Sequence, residues 1–167
     1  MSAIDIIIWI VILGVVAAGI VLAIHYANDI STASNVHAEV QNSSALVSSI
    51  REAYQGYADY SAISDSDVIN AKAVPGAITI VGGTSLSNVF GDPITLAVDS
   101  NNSNAFDLTD TVPNKACAAI ANAVLKSVSS LTINGTAVTL PVTDPAVIGQ
   151  ACGTTDPETI TEVYSGM

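Results

Sequence analysis

The sequence predicts an α+β protein: one long N-terminal helix packed on an antiparallel sheet, with a second, shorter helix. Three observations carry this. Residues 6–24 form an apolar run with no charged side chain. From His25 to Tyr60 apolar residues recur at helical spacing. Beyond residue 60, short β-type runs alternate with Gly, Pro and Asn turns.

The apolar run reads Ile6-Ile-Ile-Trp-Ile-Val-Ile-Leu-Gly14-Val-Val-Ala-Ala-Gly19-Ile-Val-Leu-Ala-Ile24. As a helix it is about 28 Å long, close to the hydrocarbon thickness of a bilayer. Asp5 sits just before it. A carboxylate at the edge of hydrocarbon is costly unless paired, and the nearest cation is the amino group of Met1, on the same chain or a neighbour. A secretory signal peptide would open with positive charge and close on a small-residue cleavage site. Here the first basic residue is Arg51. The expectation is a chain whose positive leader has already been removed and whose stay in the membrane is temporary. Gly14 and Gly19 are spaced wrongly for a G-x3-G helix dimer and read as weak points in the helix.

The helical pattern continues through Tyr26, Ile30, Ala33, Val36, Val40, Val47, Ile50, Tyr54 and Tyr57. Asn28, Asp29, Glu39, Gln41, Asn42, Arg51 and Glu52 are assigned to its polar face. A half-helix that is apolar all round must be buried by lipid or by other chains, whereas an amphipathic half lies on its own domain. The expected organisation is a hydrophobic half-helix at 1–24, an amphipathic half-helix at 25–60 and a globular α+β head at 61–167.

In the head, Ser61 to Asp67 reads as a polar loop. Strand-type runs follow at Ala77–Val81, Ile94–Val98 and Ala105–Thr109, bounded by Pro75-Gly76, Gly82-Gly83, Gly91-Asp92-Pro93 and Asn101-Asn102. Val112-Pro113 opens the second helix, with Cys117, Ile120, Ala121, Val124 and Leu125 as its apolar stripe. Leu131–Ile133 and Ala137–Leu140 flank Asn134-Gly135 and read as a hairpin. Asp144 to Asp156 is loop or short helix, and Glu158 to Tyr164 is the last strand.

Fifteen acidic residues against four basic ones give a net charge of −11. That excludes a basic nucleic-acid footprint and docking on anionic lipid. Only 11% of the chain is charged, so Ser, Thr, Asn and Gly build the surface. Cys117 and Cys152 are the only cysteines. In an exported domain they read as a disulfide, contributing about 3–4 kcal/mol in the chain-entropy model. The only histidines, His25 and His37, lie on the first helix, which leaves no zinc set. No nucleophile–base arrangement is recognisable. Asp92, Asp99, Asp107 and Asp110 lack the spacing of a calcium loop. No cofactor, metal or catalytic residue is expected.

With Asp5, the apolar half-helix, Asn88-Val-Phe-Gly-Asp-Pro-Ile94, Thr111-Val-Pro-Asn-Lys-Ala-Cys117 and Cys152, the whole chain resembles the type IV pilins. The resemblance is to the type IVb branch that includes toxin-coregulated pilin, bundlin and conjugative thin-pilus pilins. It differs in having Asp5 where the family usually has Glu, and Leu22 where many members have Pro. The resemblance implies the type IV pilin fold and a structural role as the major subunit of an extracellular pilus. It further implies a helical filament of identical subunits, residence in the inner membrane before assembly, and prepilin peptidase and pilus assembly machinery as partners. N-methylation of Met1, and a role in adhesion, aggregation or conjugative mating, come with it. Met1, Asp5, Gly14 and Gly19 are the expected assembly residues. A minor pilin or secretion-system pseudopilin is one alternative, and a membrane-tethered enzyme or binding domain is another.

Overall fold

The computed structural model describes residues 31–166. The compact unit that holds the head begins at Asn35. Helix α1 is described over 31–53. Glu39, Ser43, Leu46 and Ile50 recur at spacings of four and three and are buried, so they mark the face turned to the sheet. Leu46 and Ile50 are completely buried, each worth about 1.5–3 kcal/mol relative to exposure. Val36 and Val40, on the same side, pack against a second core cluster.

Two expectations about this helix are corrected. It stops at 53 instead of reaching Tyr60. Gly56 takes φ +98°, a left-handed conformation that ends the helix. Tyr54 and Tyr57, which read as the end of the helical stripe, instead lie in the turn and bend that follow residue 53. The Tyr54 ring lies 5.7 Å from Tyr57 and 5.1 Å from Tyr60. The second correction is Glu39, assigned to the polar face but fully buried.

The expected loop at Ser61–Asp67 contains the start of helix α2, Asp65–Asn70. Ser64 is its N-cap and accepts the Asp67 N–H. Strands β1 (Thr79–Val81), β2 (Ser85–Ser87), β3 (Pro93–Asp99) and β4 (Asn102–Val112) follow. Helix α3 spans Asn114–Val124, with Pro113 at its N-cap. Strands β5 (Ser130–Ile133) and β6 (Thr136–Val138) form a hairpin across Asn134 and Gly135, at φ 50° and 76°. These are the left-handed conformations that a two-residue I′ turn requires. Helix α4 (Ala146–Cys152) and strand β7 (Glu158–Ser165) complete the elements.

The seven strands form one antiparallel sheet in the order β1-β2-β3-β4-β7-β5-β6. One core cluster joins Leu46, Val47 and Ile50 to Ile94, Leu96, Phe106, Leu108 and Tyr164. The other gathers α3, α4 and strands β5 to β7. Among the described residues no helix is long and apolar enough to cross a membrane. The apolar run at 6–24 lies outside the described residues.

Candidate functional site: the seam beneath the long helix

Where α1 lies on the sheet, the described chain buries several polar side chains, among them Glu39, Asn88, Asp110 and Glu162. Buried polar groups need partners, so this seam is the candidate site.

Strand alternation selects them. On β4, Phe106, Leu108, Asp110 and Val112 share the buried face; on β7, Glu158, Ile160, Glu162 and Tyr164 do. Leu108 pairs with Glu162 and Asp110 with Ile160, so Asp110 and Glu162 are diagonal neighbours. Glu39 of α1 completes a trio of carboxyl side chains no more than 1% exposed.

Their partners form a knot. Glu39 accepts the Val89 N–H at 3.0 Å and the Ser43 hydroxyl at 3.1 Å. The Asn88 side chain donates to Asp110 at 2.7 Å and to the Thr111 carbonyl at 2.6 Å. Its amide oxygen accepts the Phe90 and Asp92 N–H groups at 3.0 and 2.9 Å. The Asn88–Asp92 turn is thus tied to the helix by Glu39 and to β4 by Asn88. Within it, Gly91 takes φ +88°. The second Asp110 oxygen is buried with no partner.

No cation partners Asp110 in this knot, so protonation is its route to a tolerable energy. Burial, then the charge of Glu39, push its carboxyl up to about 8 against the Asn88 hydrogen bond. Glu162 and Asp92 add to the rise. Glu162 is raised to about 7 by burial, with Glu39 adding and the Tyr164 hydroxyl opposing. Burial and Glu162 in turn hold the Tyr164 phenol well above its ordinary value.

Two further ties flank the knot. Glu158 accepts from Asn114 at 2.7 Å, from Thr155 at 3.1 Å and from Asn134. Burial pushes this carboxyl up, but the three hydrogen bonds outweigh it and leave the group below its usual value. This joins α3, the hairpin turn and β7. Beside it, Cys117 and Cys152 are joined by a disulfide between α3 and α4, with Cα atoms 5.9 Å apart. At the other end of β7, the Arg51 guanidinium donates to the Ser165 carbonyl at 2.9 Å and lies 5.9 Å from the Tyr164 ring centroid. A Cβ on Gly166 would stand 2.6 Å from the Asn104 carbonyl oxygen, so that approach excludes a side chain.

Met1, Asp5, Gly14 and Gly19 lie outside the described residues. Among the described residues, no His, Cys, Asp or Glu group is placed to hold a metal ion. Sequence reasoning missed Glu39, Asn88, Glu158 and Glu162 as structural anchors. A signal existed: Glu39 is in phase with Ser43, Leu46 and Ile50, and Glu158, Ile160, Glu162 and Tyr164 alternate.

Residues 33–165 match the family model described as PilS N terminal. The fold is similar to the crystal structure of a type IVb pilin from Salmonella typhi, with a TM-score of 0.61 at 24% identity, covering 77% of this chain and 98% of that one. It is similar also to the crystal structure of TcpA, a type IV pilin from Vibrio cholerae El Tor biotype, with a TM-score of 0.59 at 14% identity, covering 79% and 99%. No curated protein matches. These likenesses bear out the α+β type IV pilin fold.

Proposed function

Because the chain belongs to the PilS N-terminal family and has the type IVb pilin fold, we propose that it is the major repeating subunit of an extracellular type IVb pilus. The observation that carries this is the contrast between helix α1 and the sequence before it. Helix α1 is locked to the head through Glu39, Leu46, Ile50 and Arg51, while an apolar run precedes it in the sequence at 6–24. An anchored head preceded by an apolar run suits polymerisation, in which burial in lipid is exchanged for burial among neighbouring copies. The subunit waits in the inner membrane, is processed by prepilin peptidase with N-methylation of Met1, and is drawn into a helical filament of identical copies by the assembly machinery. Adhesion, aggregation or conjugative mating is the downstream role.

Asp5 sets register in this scheme. Inside a core of Ile, Val and Leu an unpaired carboxylate costs several kcal/mol. Pairing with the Met1 ammonium, within the chain or across to a neighbour, removes that penalty. Gly14 and Gly19 lower the cost of local helix opening, which lengthens the subunit in the fibre.

The test separates insertion from assembly. Asp5→Ala keeps or improves membrane insertion and loses surface fibres; wild-type fibre yield in that variant would overturn the role given to Asp5. The expected result for sheared wild-type fibres is that they consist mainly of this 17.0 kDa chain. Fibres built mainly of another protein would overturn the major-subunit reading.

A further inference from the structure

Where α1 ends, the turns that follow it leave an open cleft of about 420 Å³. Tyr54 and Tyr57 line it, with four alanines among the other lining residues. Among the described residues, its charged groups are Asp59 and Asp67. The volume lies within the range of small-ligand sites. The filament reading makes no use of this cleft.

The cleft's polar atoms are unequally divided between donors and acceptors. One Asp59 oxygen takes both the N–H and the hydroxyl of Ser61, at 3.0 and 2.6 Å. That commits the Ser61 proton and leaves the second Asp59 oxygen without a protein partner. Asp67 likewise receives the Ser64 hydroxyl on one oxygen, while its backbone N–H donates to the Ser64 oxygen. Among the described residues, no arginine, lysine, histidine or side-chain amide lines the cleft. What remains is carboxylate lone pairs, two tyrosines and an apolar floor. A neutral polyol needs donors as well as acceptors and finds few here. An ammonium group brings only donors and a positive charge, and its alkyl stem suits the alanines.

The rings complete the match. Tyr57 is 74% exposed, far more than an aromatic ring kept for core packing. It lies tilted 5.7 Å from Tyr54, in contact with that ring, and both rings line the same cleft. The electron-rich faces of tyrosines attract cations. The Tyr54 phenol is raised above its ordinary value by burial and then by the charge of Asp67, which reports the negative field in the cleft. The chain's net charge of −11 adds a long-range attraction of the same sign.

We propose that the Tyr54–Tyr57–Asp59–Asp67 cleft is a binding site for small organic cations of the alkylammonium class, seated between the tyrosine rings and the two carboxylates. This gives the subunit a ligand-binding function besides polymerisation, and it does not depend on the filament reading.

The test uses the purified full chain in polyoxyethylene detergent, which has no ammonium headgroup. Butylammonium chloride is titrated against the Tyr54 and Tyr57 ring resonances, with sodium chloride matching ionic strength and glucose as the neutral polyol. The expected result is a saturable shift with butylammonium and none with sodium chloride or glucose. Tyr57→Ala, at an exposed ring, and Asp59→Asn each weaken binding about two- to five-fold. Both variants keep the wild-type circular dichroism and the disulfide. Absence of a saturable shift, an equal response to glucose, or unchanged affinity in both variants would overturn the proposal. So would a response to butylammonium that appears only after lysine acetylation, since the cleft would then be occupied by a lysine of another copy.

Discussion

Replacing Asp110 by Asn tests the seam most directly. A carboxyl whose proton is held more tightly in the folded chain makes the fold bind more protons than the unfolded chain does. Its stabilising contribution is complete below the unfolded value and is lost as pH rises through the folded value. For Asp110 that window runs from 3.8 to about 8, and for Glu162 from 4.5 to about 7. Midway, near pH 6, the fold holds up to two protons that the unfolded chain has released. The stability of the wild-type chain therefore falls with rising pH, by up to about 2.7 kcal/mol per pH unit. Asp110→Asn removes one of the two protons and halves that slope. At about 1.4 kcal/mol per unit of displacement, the Asp110 shift corresponds to at most ~5–6 kcal/mol. Relaxation around the seam reduces this, so at pH 8 the variant is expected to be more stable than wild type by about 2–5 kcal/mol. Near pH 4 the advantage disappears, because the wild-type carboxyl is then neutral. The assay is urea unfolding of the oxidised full chain in detergent at a series of pH values. It is followed by the near-ultraviolet dichroism of the tyrosines packed about Phe106. A wild-type stability that is flat or rising between pH 5 and 7, or an identical slope in the variant, would refute the reasoning.

Three further outcomes follow from the same contacts. Glu39→Ala leaves the Val89 N–H without its acceptor and costs about 1–3 kcal/mol at pH 5; denaturation midpoints check this, and hydrogen exchange localises the loss to the Asn88–Asp92 turn. Cys117→Ser removes the crosslink over a separation of 35 residues and costs about 3–4 kcal/mol, read as faster proteolysis within α3 and α4, and two free thiols in the native protein would contradict it. Asn134→Ala loses side-chain bonds to Glu158, Thr159 and Ala151 at a backbone φ of 50° and is expected to cost about 2–3 kcal/mol; Asn134→Gly recovers the backbone share alone, which melting curves of the two variants separate.

What could be read from the sequence was set by range. The helix over 31–53, the Asn134-Gly135 hairpin and the α3 stripe depend on neighbours within a few residues, and each appears in the structure. The end of α1 depends on Gly56, a residue permissive rather than compulsory for a break, and the helical spacing of Ile50, Tyr54 and Tyr57 concealed it. Strand β2, Ser85–Ser87, carries one apolar residue between two serines and has no period to detect. Glu39 was misread because a charge by itself argues for solvent. Only the folded chain brings the Val89 N–H, fifty residues away, to donate to it. Likewise Asp110 and Glu162 become neighbours through strand pairing, which composition and spacing do not encode.

The place of β7 has a consequence in time. It lies between β4 and β5, yet follows both in the chain. While the polypeptide emerges, β1–β4 and β5–β6 are two separate pieces of sheet, each with an open edge able to pair wrongly. The Cys117–Cys152 crosslink lies wholly before β7, so it can close while the gap is still empty. Arg51 waits for Ser165, its acceptor 114 residues later. Until β7 slots in, the Arg51 clasp is missing, and α1 is held only by Glu39 and by its apolar contacts with the earlier strands.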